Sequence, residues 1–90
     1  MRVALICTDK PNSLDIRTAN RPAHLEHLNG SGVVELAGPF LDANGAMTGS
    51  LIVLSVETMA EAKAWAAADP YAKAGLFSSV ELREWKKVIG

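Results

Sequence analysis

The chain has 90 residues, the length of one small domain. Its nine basic residues nearly balance its ten acidic residues, which excludes the broad cationic surface that nucleic-acid binding requires. A single cysteine excludes an internal disulfide and a cysteine-rich metal site, and no apolar stretch approaches the roughly 20 residues of a membrane-spanning helix.

The first apolar run predicts a buried strand rather than a targeting segment. Met1 to Thr8 is too short for a secretory signal, and charged residues follow at once. Cys7 lies in this run, where a buried, inert thiol is the simpler interpretation and a reactive nucleophile is the alternative. With one unpaired cysteine, we expect a reducing, cytoplasmic location.

The N-terminal third predicts a strand followed by a long helix. Arg2–Thr8 is rich in β-forming residues and ends at the loop signal Asp9–Asn12. Ser13 is a suitable cap for a helix over Leu14–Leu28, and the glycines that follow end it. Pro22 lacks a backbone N–H, so we expect a kink or a fresh helix start near it.

Two further strands and a turn follow. Val33–Phe40 predicts the second strand, and Pro39 places its end at a sheet edge or a bulge because proline cannot donate to a strand ladder. Asp42–Gly45 is a turn whose Asn-Gly pair favours positive φ. Leu51–Val56 predicts a third strand that is apolar on both faces.

The C-terminal third predicts a second helix and a last strand. Thr58–Glu61 is a capping box that opens a helix ending at Ala68. Asp69–Pro70 breaks this helix, Tyr71–Gly75 gives one more turn, and Leu76–Val88 supplies the last strand.

The predicted order β, α, β, β, α, β is that of a ferredoxin-like α+β domain over residues 1–90. Right-handed crossovers put both helices on one face of a four-stranded antiparallel sheet and leave the other face bare. Val3–Cys7 and Leu51–Val56 are apolar at both sets of alternating positions, so the bare face is apolar too. Because monomers rarely leave a large apolar patch in water, we predict a homodimer through the open sheet face.

Three residues of the first helix form a candidate binding stripe. Arg17, Arg21 and His24 fall within about 60° of one another on a helix. Two guanidinium groups beside an imidazole suit an anionic or carbonyl-bearing ligand, and a solvated basic face is the alternative. His27 lies off the stripe and is interpreted as a surface histidine. Two histidines without a third nearby ligand do not predict a metal site.

Other polar residues have both structural and chemical interpretations. Asp69 is well placed to cap the short turn that begins at Pro70, and its carboxylate can also pair with an imidazole, one oxygen serving each role. Ser50 and Tyr71 can donate hydrogen bonds to a ligand or serve the fold alone. Gly38–Phe40 either shapes a pocket wall or simply ends a strand.

Four motifs occur in order along the chain: RPAHL at Arg21–Leu25, AGPF at Ala37–Phe40, GS at Gly49–Ser50 and ADPY at Ala68–Tyr71. In this order and spacing they resemble the YciI-like (YCII-related) family over essentially the whole chain. The resemblance implies a ferredoxin-like fold of the dimeric α+β barrel superfamily. One position departs from the family, because many relatives carry aspartate where this chain has Ala37.

The resemblance also implies a site, because the family holds a His–Asp pair in a cleft as its active site. The motifs carry this pair over to His24 and Asp69. Arg17 and Arg21 match basic positions of the first helix, and Ser50 matches the serine of the GS motif.

The leading hypothesis is an enzyme that moves a proton on a small organic molecule, in a lyase- or isomerase-like reaction that needs no cofactor. His24 would shuttle the proton, Asp69 would orient the imidazole, and an arginine of the stripe would hold an anionic or phenolic ligand. A non-catalytic metabolite-binding module and a pure dimerisation domain are the alternatives, and cofactor-free oxygen chemistry stays open. The sequence does not predict the substrate.

Overall fold

The computed structural model describes residues 1–90, and its strands form one antiparallel sheet in the order β2-β3-β1-β4. Along the chain the elements are β1 (Arg2–Asp9), α1 (Leu14–Ser31), β2 (Val34–Leu41), β3 (Met47–Ser55), α2 (Met59–Ala68), α3 (Pro70–Lys73) and β4 (Phe77–Trp85). This order confirms the predicted ferredoxin-like α+β fold, with α3 as a short addition before the last strand. No helix is both long and apolar enough to cross a bilayer.

One face of the sheet carries the hydrophobic core. The core residues come from alternate positions of β1 and β3, from the residue directly after β3 and from the facing sides of α1 and α2; they are Val3, Leu5, Cys7, Leu28, Ile52, Leu54, Val56, Ala62 and Trp65. Since strand side chains alternate between faces, the other side chains of the same strands point away from the helices. The helices therefore cover one face only, as predicted.

The open face of the sheet is largely apolar over β2, β3 and β1, whereas β4 adds Glu81 and Arg83 to it opposite Ile6 and Ala4. Ile6 pairs with Leu51 across β1 and β3, and on this face Leu36, Phe40 and Trp85 are 49%, 42% and 41% exposed. We call these five residues the open-face patch. Several exposed aromatic and aliphatic side chains on one face are unusual for a monomer, because apolar area left in water does not contribute the stabilisation that its burial would give.

Helix α1 begins at Leu14 as predicted, but it differs from its prediction in its cap, in its middle and at its end. It continues through Pro22 without a fresh start and extends to Ser31, where Gly32 ends it with a φ of 73°. Ser13 does not cap it through its side chain, because its hydroxyl donates instead to the carbonyl oxygen of Pro11 at 3.3 Å. The capping box of α2 is confirmed, since the backbone N–H of Glu61 donates to Thr58 Oγ1 at 3.2 Å.

Strand β3 begins at Met47, four residues before the predicted start at Leu51. The segment Met47–Ser50 has no apolar alternation, but its backbone pairs with both neighbouring strands. Gly49 shows why a small residue is needed there, because an added Cβ would collide with the carbonyl oxygen of Cys7. Backbone pairing of this kind leaves little trace in hydrophobic periodicity.

Candidate active site

A cleft of about 110 Å3 opens between α1, α3 and the edge of the sheet formed by β2 and β3. Its lining combines the stripe of α1 with apolar side chains and the outer strand, and comprises Arg17, Arg21, His24, Leu25, Leu28, Ala37, Gly38, Pro39, Ser50, Ile52 and Tyr71. Five of the six candidate site residues therefore line one cavity. The sixth, Asp69, lies behind His24.

His24 and Asp69 form a buried pair. The distance from His24 Nδ1 to Asp69 Oδ1 is 2.8 Å, and the two residues are 6% and 2% exposed. His24 Nε2 makes no hydrogen bond within the chain, and the imidazole lines the cleft. With Nδ1 facing the carboxylate, Nε2 is the ring nitrogen left to exchange a proton with a ligand.

Asp69 owes its position to the break between α2 and α3. It follows the last residue of α2 and precedes Pro70, the first residue of α3. The backbone N–H of Tyr71 donates to Asp69 Oδ1 at 3.0 Å. The same oxygen therefore caps the short helix and faces His24, whereas the sequence predicted one oxygen for each role. The capping bond fixes the carboxylate before any ligand arrives.

Tyr71 supports the imidazole from one side. Its ring stacks on His24 with centroids 3.8 Å apart and an angle of 12° between the planes. The guanidinium carbon of Arg17 lies 4.9 Å from the centroid of the same ring. Burial raises the pKa of Tyr71, although the cations of Arg17 and Arg21 oppose this effect. The phenol therefore remains a neutral hydrogen-bond donor near pH 7.

Arg17 is buried and fully paired with a carboxylate. Its Nε and Nη2 donate to the two oxygens of Asp9 at 2.7 and 2.9 Å, and Nη2 also donates to Ser50 Oγ at 2.9 Å. Burial alone would lower the pKa of Arg17, but the hydrogen bonds and charge of Asp9 raise it. The alternative of a solvated basic face is wrong for Arg17 and His24, which are 2% and 6% exposed.

Arg21 is the exposed cation of the stripe. No carboxylate pairs with it, and its one side-chain hydrogen bond is donated from Nη1 to the sulfur of Met47 at 3.4 Å. A thioether is a weak acceptor, so the guanidinium remains available to an anionic ligand. The two arginines of the stripe are therefore in different states, one fixed in the floor and one free at the mouth.

The interpretation of His27 as a surface histidine is wrong. Its side chain is half-buried against α2, where the ring stacks on Trp65 at a centroid distance of 4.5 Å and Nε2 lies 3.2 Å from the Trp65 carbonyl oxygen. The position 60° from the stripe turns it towards the neighbouring helix rather than towards water. Its contacts serve packing, outside the cleft.

Cys7 lies in the core rather than in the cleft. It is 2% exposed, and burial raises the pKa of its thiol to about 12, with the charge of Asp69 adding to the effect. A thiol is a weak nucleophile, and the reactive thiolate does not form at neutral pH under these conditions. The structure supports the interpretation of an inert, buried cysteine.

Sequence reasoning missed one important residue beside the cleft. Asp9 was interpreted as the residue that stops β1, yet it is the carboxylate that neutralises Arg17. A buried arginine requires such a partner, but nothing in the spacing of Asp9 and Arg17 indicates which carboxylate provides it. Gly38 and Pro39 do form a wall of the cleft, whereas Phe40 points to the open face.

A model of the YCII-related domain matches residues 1–86. This chain belongs to the YCII-related family. It is 37% identical over 98 aligned residues to protein YciI of Escherichia coli O6:H1, covering 99% of this chain and 100% of the relative. It is 35% identical, with the same coverage, to an uncharacterized protein of Haemophilus influenzae. The resemblance carried by the four motifs is confirmed.

Among solved structures, the chain is similar to 5-chloro-2-hydroxyhydroquinone dehydrochlorinase of Burkholderia phenoliruptrix AC1100 in complex with 2,5-dihydroxybenzoquinone. The two share 33% identity with a TM-score of 0.89, over 96% of this chain and 94% of the other. An antibiotic biosynthesis monooxygenase shares the fold alone, with 14% identity and a TM-score of 0.55. The similarity to the dehydrochlorinase is consistent with this chain being a small-molecule enzyme.

Proposed function

We propose that this protein is a small-molecule enzyme that transfers a proton by general acid–base chemistry in a lyase- or isomerase-like reaction. The observation that supports it is the buried contact of 2.8 Å between His24 and Asp69 beside an open cleft. In this proposal His24 Nε2 removes a proton from the ligand. Asp69 holds the opposite ring nitrogen and stabilises the imidazolium that forms.

The substrate in this proposal is a compound of about one ring with an anionic or phenolic oxygen. The cleft of about 110 Å3 is similar in size to an enclosed apolar cavity of about 150 Å3 that admits benzene, and its open side leaves room for the substituents of a ring. Arg21 at the mouth suits an anionic group, and Leu25, Leu28 and Ile52 provide an apolar wall for a planar ring. The similar dehydrochlorinase, which binds a dihydroxylated quinone, supports the same ligand class. No cofactor is part of the proposal.

The experiment compares the wild type with His24→Ala and Asp69→Asn on a panel of hydroxylated and chlorinated aromatics and lactones. Proton exchange in deuterated water is followed by NMR, and product formation by chromatography. A positioned acid–base group contributes about 10^2 to 10^4 in rate, so His24→Ala should lose kcat by that factor. Asp69→Asn should lose kcat with a smaller change in KM.

His27→Gln is the matched control, because His27 lies on the same helix but packs against Trp65 outside the cleft. It should retain the wild-type rate. Equal rates in the wild type and His24→Ala would contradict the proposal. If the panel binds with saturation but nothing turns over, the protein is a metabolite-binding module instead.

The assembly in this proposal is a homodimer that buries the open-face patch of two chains against each other. The patch supports it because its apolar side chains lie on the face of the sheet that no helix covers. A face-to-face pair of sheets would leave both clefts open, since the cleft lies on the helical side at the edge of the sheet. The single free thiol agrees with a reducing cytoplasmic compartment.

A further inference from the structure

Two hydroxyl groups in the floor of the cleft have no role in the His24–Asp69 pair. Ser50 lies on β3 and Tyr71 on α3, and both line the cavity while being only 3% and 1% exposed. Arg17 contacts both residues, through Ser50 Oγ at 2.9 Å and over the ring of Tyr71 at 4.9 Å. One guanidinium therefore brings two buried hydroxyl groups into the same neighbourhood.

The Ser50 hydroxyl has a free proton. Its oxygen accepts from Arg17 Nη2, and it donates to no atom of the chain. A hydroxyl group that accepts a hydrogen bond from a cation becomes a stronger donor, because the charge draws electron density from its oxygen. The proton of Ser50 is therefore a polarised donor that faces the cavity or a molecule within it.

The Tyr71 hydroxyl also donates to no atom of the chain, while a hydrogen bond from Arg17 to its oxygen acts to lower the pKa of the phenol. Every side-chain nitrogen or oxygen atom that is fully shielded from water has a hydrogen-bond partner. Tyr71 lines the cleft, so we place its hydroxyl group at the open part of the cavity. Its ring is fixed by the stack on His24, and its backbone N–H is held by Asp69. Tyr71 thus presents a rigid donor in the cavity that also contains His24 Nε2.

We propose that the hydroxyl groups of Ser50 and Tyr71, positioned by Arg17, form an oxyanion site for a ligand oxygen that becomes negatively charged during proton transfer. The inference rests on the proposed function and names its substrate class: a compound with an acidic C–H bond next to a carbonyl group. Nε2 of His24 takes the proton, and the electron pair of the C–H bond forms a carbon–carbon double bond. The carbonyl π pair moves to the oxygen, which becomes the enolate that the two hydroxyl groups hold.

The pairing of Arg17 with Asp9 fits this role better than direct binding of an anion. Asp9 neutralises the guanidinium through two hydrogen bonds, so the floor of the cleft carries fixed dipoles without net charge from this pair. Fixed neutral donors bind a developing negative charge more strongly than the neutral carbonyl oxygen that precedes it. This difference accelerates the reaction, whereas equal binding of both states would not. Arg17 is a positioning residue in this arrangement.

The test uses the binding of 4-nitrophenol, whose phenolate form differs from the neutral phenol in its visible spectrum. The wild type should bind the phenolate form, and Ser50→Ala and Tyr71→Phe should each weaken this binding about tenfold. A tenfold loss corresponds to about 1.4 kcal/mol, the range of a hydrogen bond to a charged group. Tyr71→Phe keeps the ring that stacks on His24, so the loss reports the hydroxyl group alone.

Two controls separate the loss of these hydrogen bonds from misfolding and from a general loss of ligand binding. Ser31→Ala removes a hydroxyl group that accepts a hydrogen bond from Trp65 Nε1 outside the cleft, and it should leave phenolate affinity unchanged. The neutral ligand 4-nitroanisole has no ionisable oxygen, so the two cleft variants should bind it as the wild type does. Attraction to Arg21 is common to all these variants and cancels in the comparison.

Equal phenolate affinity in the wild type, Ser50→Ala and Tyr71→Phe would overturn the oxyanion site, as would binding of the neutral phenol in preference to the phenolate. Phenolate binding needs no proton transfer, whereas the proposed function is tested by turnover in His24→Ala. The oxyanion site can therefore fail while the function stands, and the reverse also holds.

Discussion

Asp9 illustrates, at the scale of a residue, how strongly a buried charge depends on its partner. The side chains of Arg17 and Asp9 are 3% and 7% exposed, so Asp9→Ala leaves a guanidinium in the interior without its carboxylate. We expect the free energy of unfolding to fall by about 3–5 kcal/mol, measured by urea denaturation. The exposed pair of Arg2 and Glu35 is the control, since water screens it, and Glu35→Gln should change stability little. Equal losses at both pairs would contradict this account.

Cys7 gives a prediction for alkaline pH. The thiol has a pKa of about 12 in the folded chain and an ordinary value of 9.0. Between these values the unfolded chain has already released the proton that the folded chain retains. The free energy of unfolding therefore falls as the pH rises from 9 towards 12. Cys7→Ala should lose stability less steeply over this range in pH-dependent urea denaturation, and parallel curves would show that the thiol does not contribute.

The residues of the site differ in how far the sequence could predict them. His24 and Asp69 were found because two short motifs carry them, and the helical spacing correctly grouped His24 with the two arginines. Asp9 was missed because its role depends on the path of the loop between β1 and α1, which brings it against Arg17. The stacking of Tyr71 on His24 depends in the same way on how α3 packs against α1, and no local pattern reports that.

Gly49 in β3 and Gly30 in α1 form a matched pair, because alanine is expected to lower stability at one and to raise it at the other. An alanine Cβ at Gly49 meets the Cys7 carbonyl, so Gly49→Ala should destabilise by about 1–3 kcal/mol by forcing β1 and β3 apart. Nothing lies within 4 Å of a Cβ at Gly30, which is inside α1, so Gly30→Ala should stabilise by about 0.5–1 kcal/mol. Thermal unfolding measures both, and a stabilising Gly49→Ala would refute the proposed collision.

The types and order of the elements were predictable, but several of their ends were not. Apolar alternation and the capping box identified the strands and α2, because both signals depend on nearest neighbours in sequence. The start of β3 and the end of α1 are set by tertiary contacts instead. Met47–Ser50 is extended because strands on both sides offer it backbone partners, and α1 continues through Pro22 because its buried face packs on the sheet.

The open-face patch predicts that the protein is a dimer in solution. Analytical ultracentrifugation should give twice the mass of one chain at micromolar concentration. Leu36→Glu should shift the protein to monomer, because it places a charge within the proposed apolar contact. Leu14→Glu is the control, since Leu14 is 48% exposed at the start of α1, away from the open face. A wild-type monomer would contradict the proposed assembly.

The edge position of β2 has a consequence for which ligands the cleft can accept. Ala37, Gly38 and Pro39 contribute a wall of the cleft from the outermost strand, where nearly every side chain is exposed. Substitutions there meet few neighbours, so they can change the charge and shape of the wall without cost to the core. The floor, by contrast, is bound into ion pairs and stacked rings. Under the proposed mechanism, this chain can therefore keep its proton-transfer groups and accept a different ligand through substitutions in β2 alone.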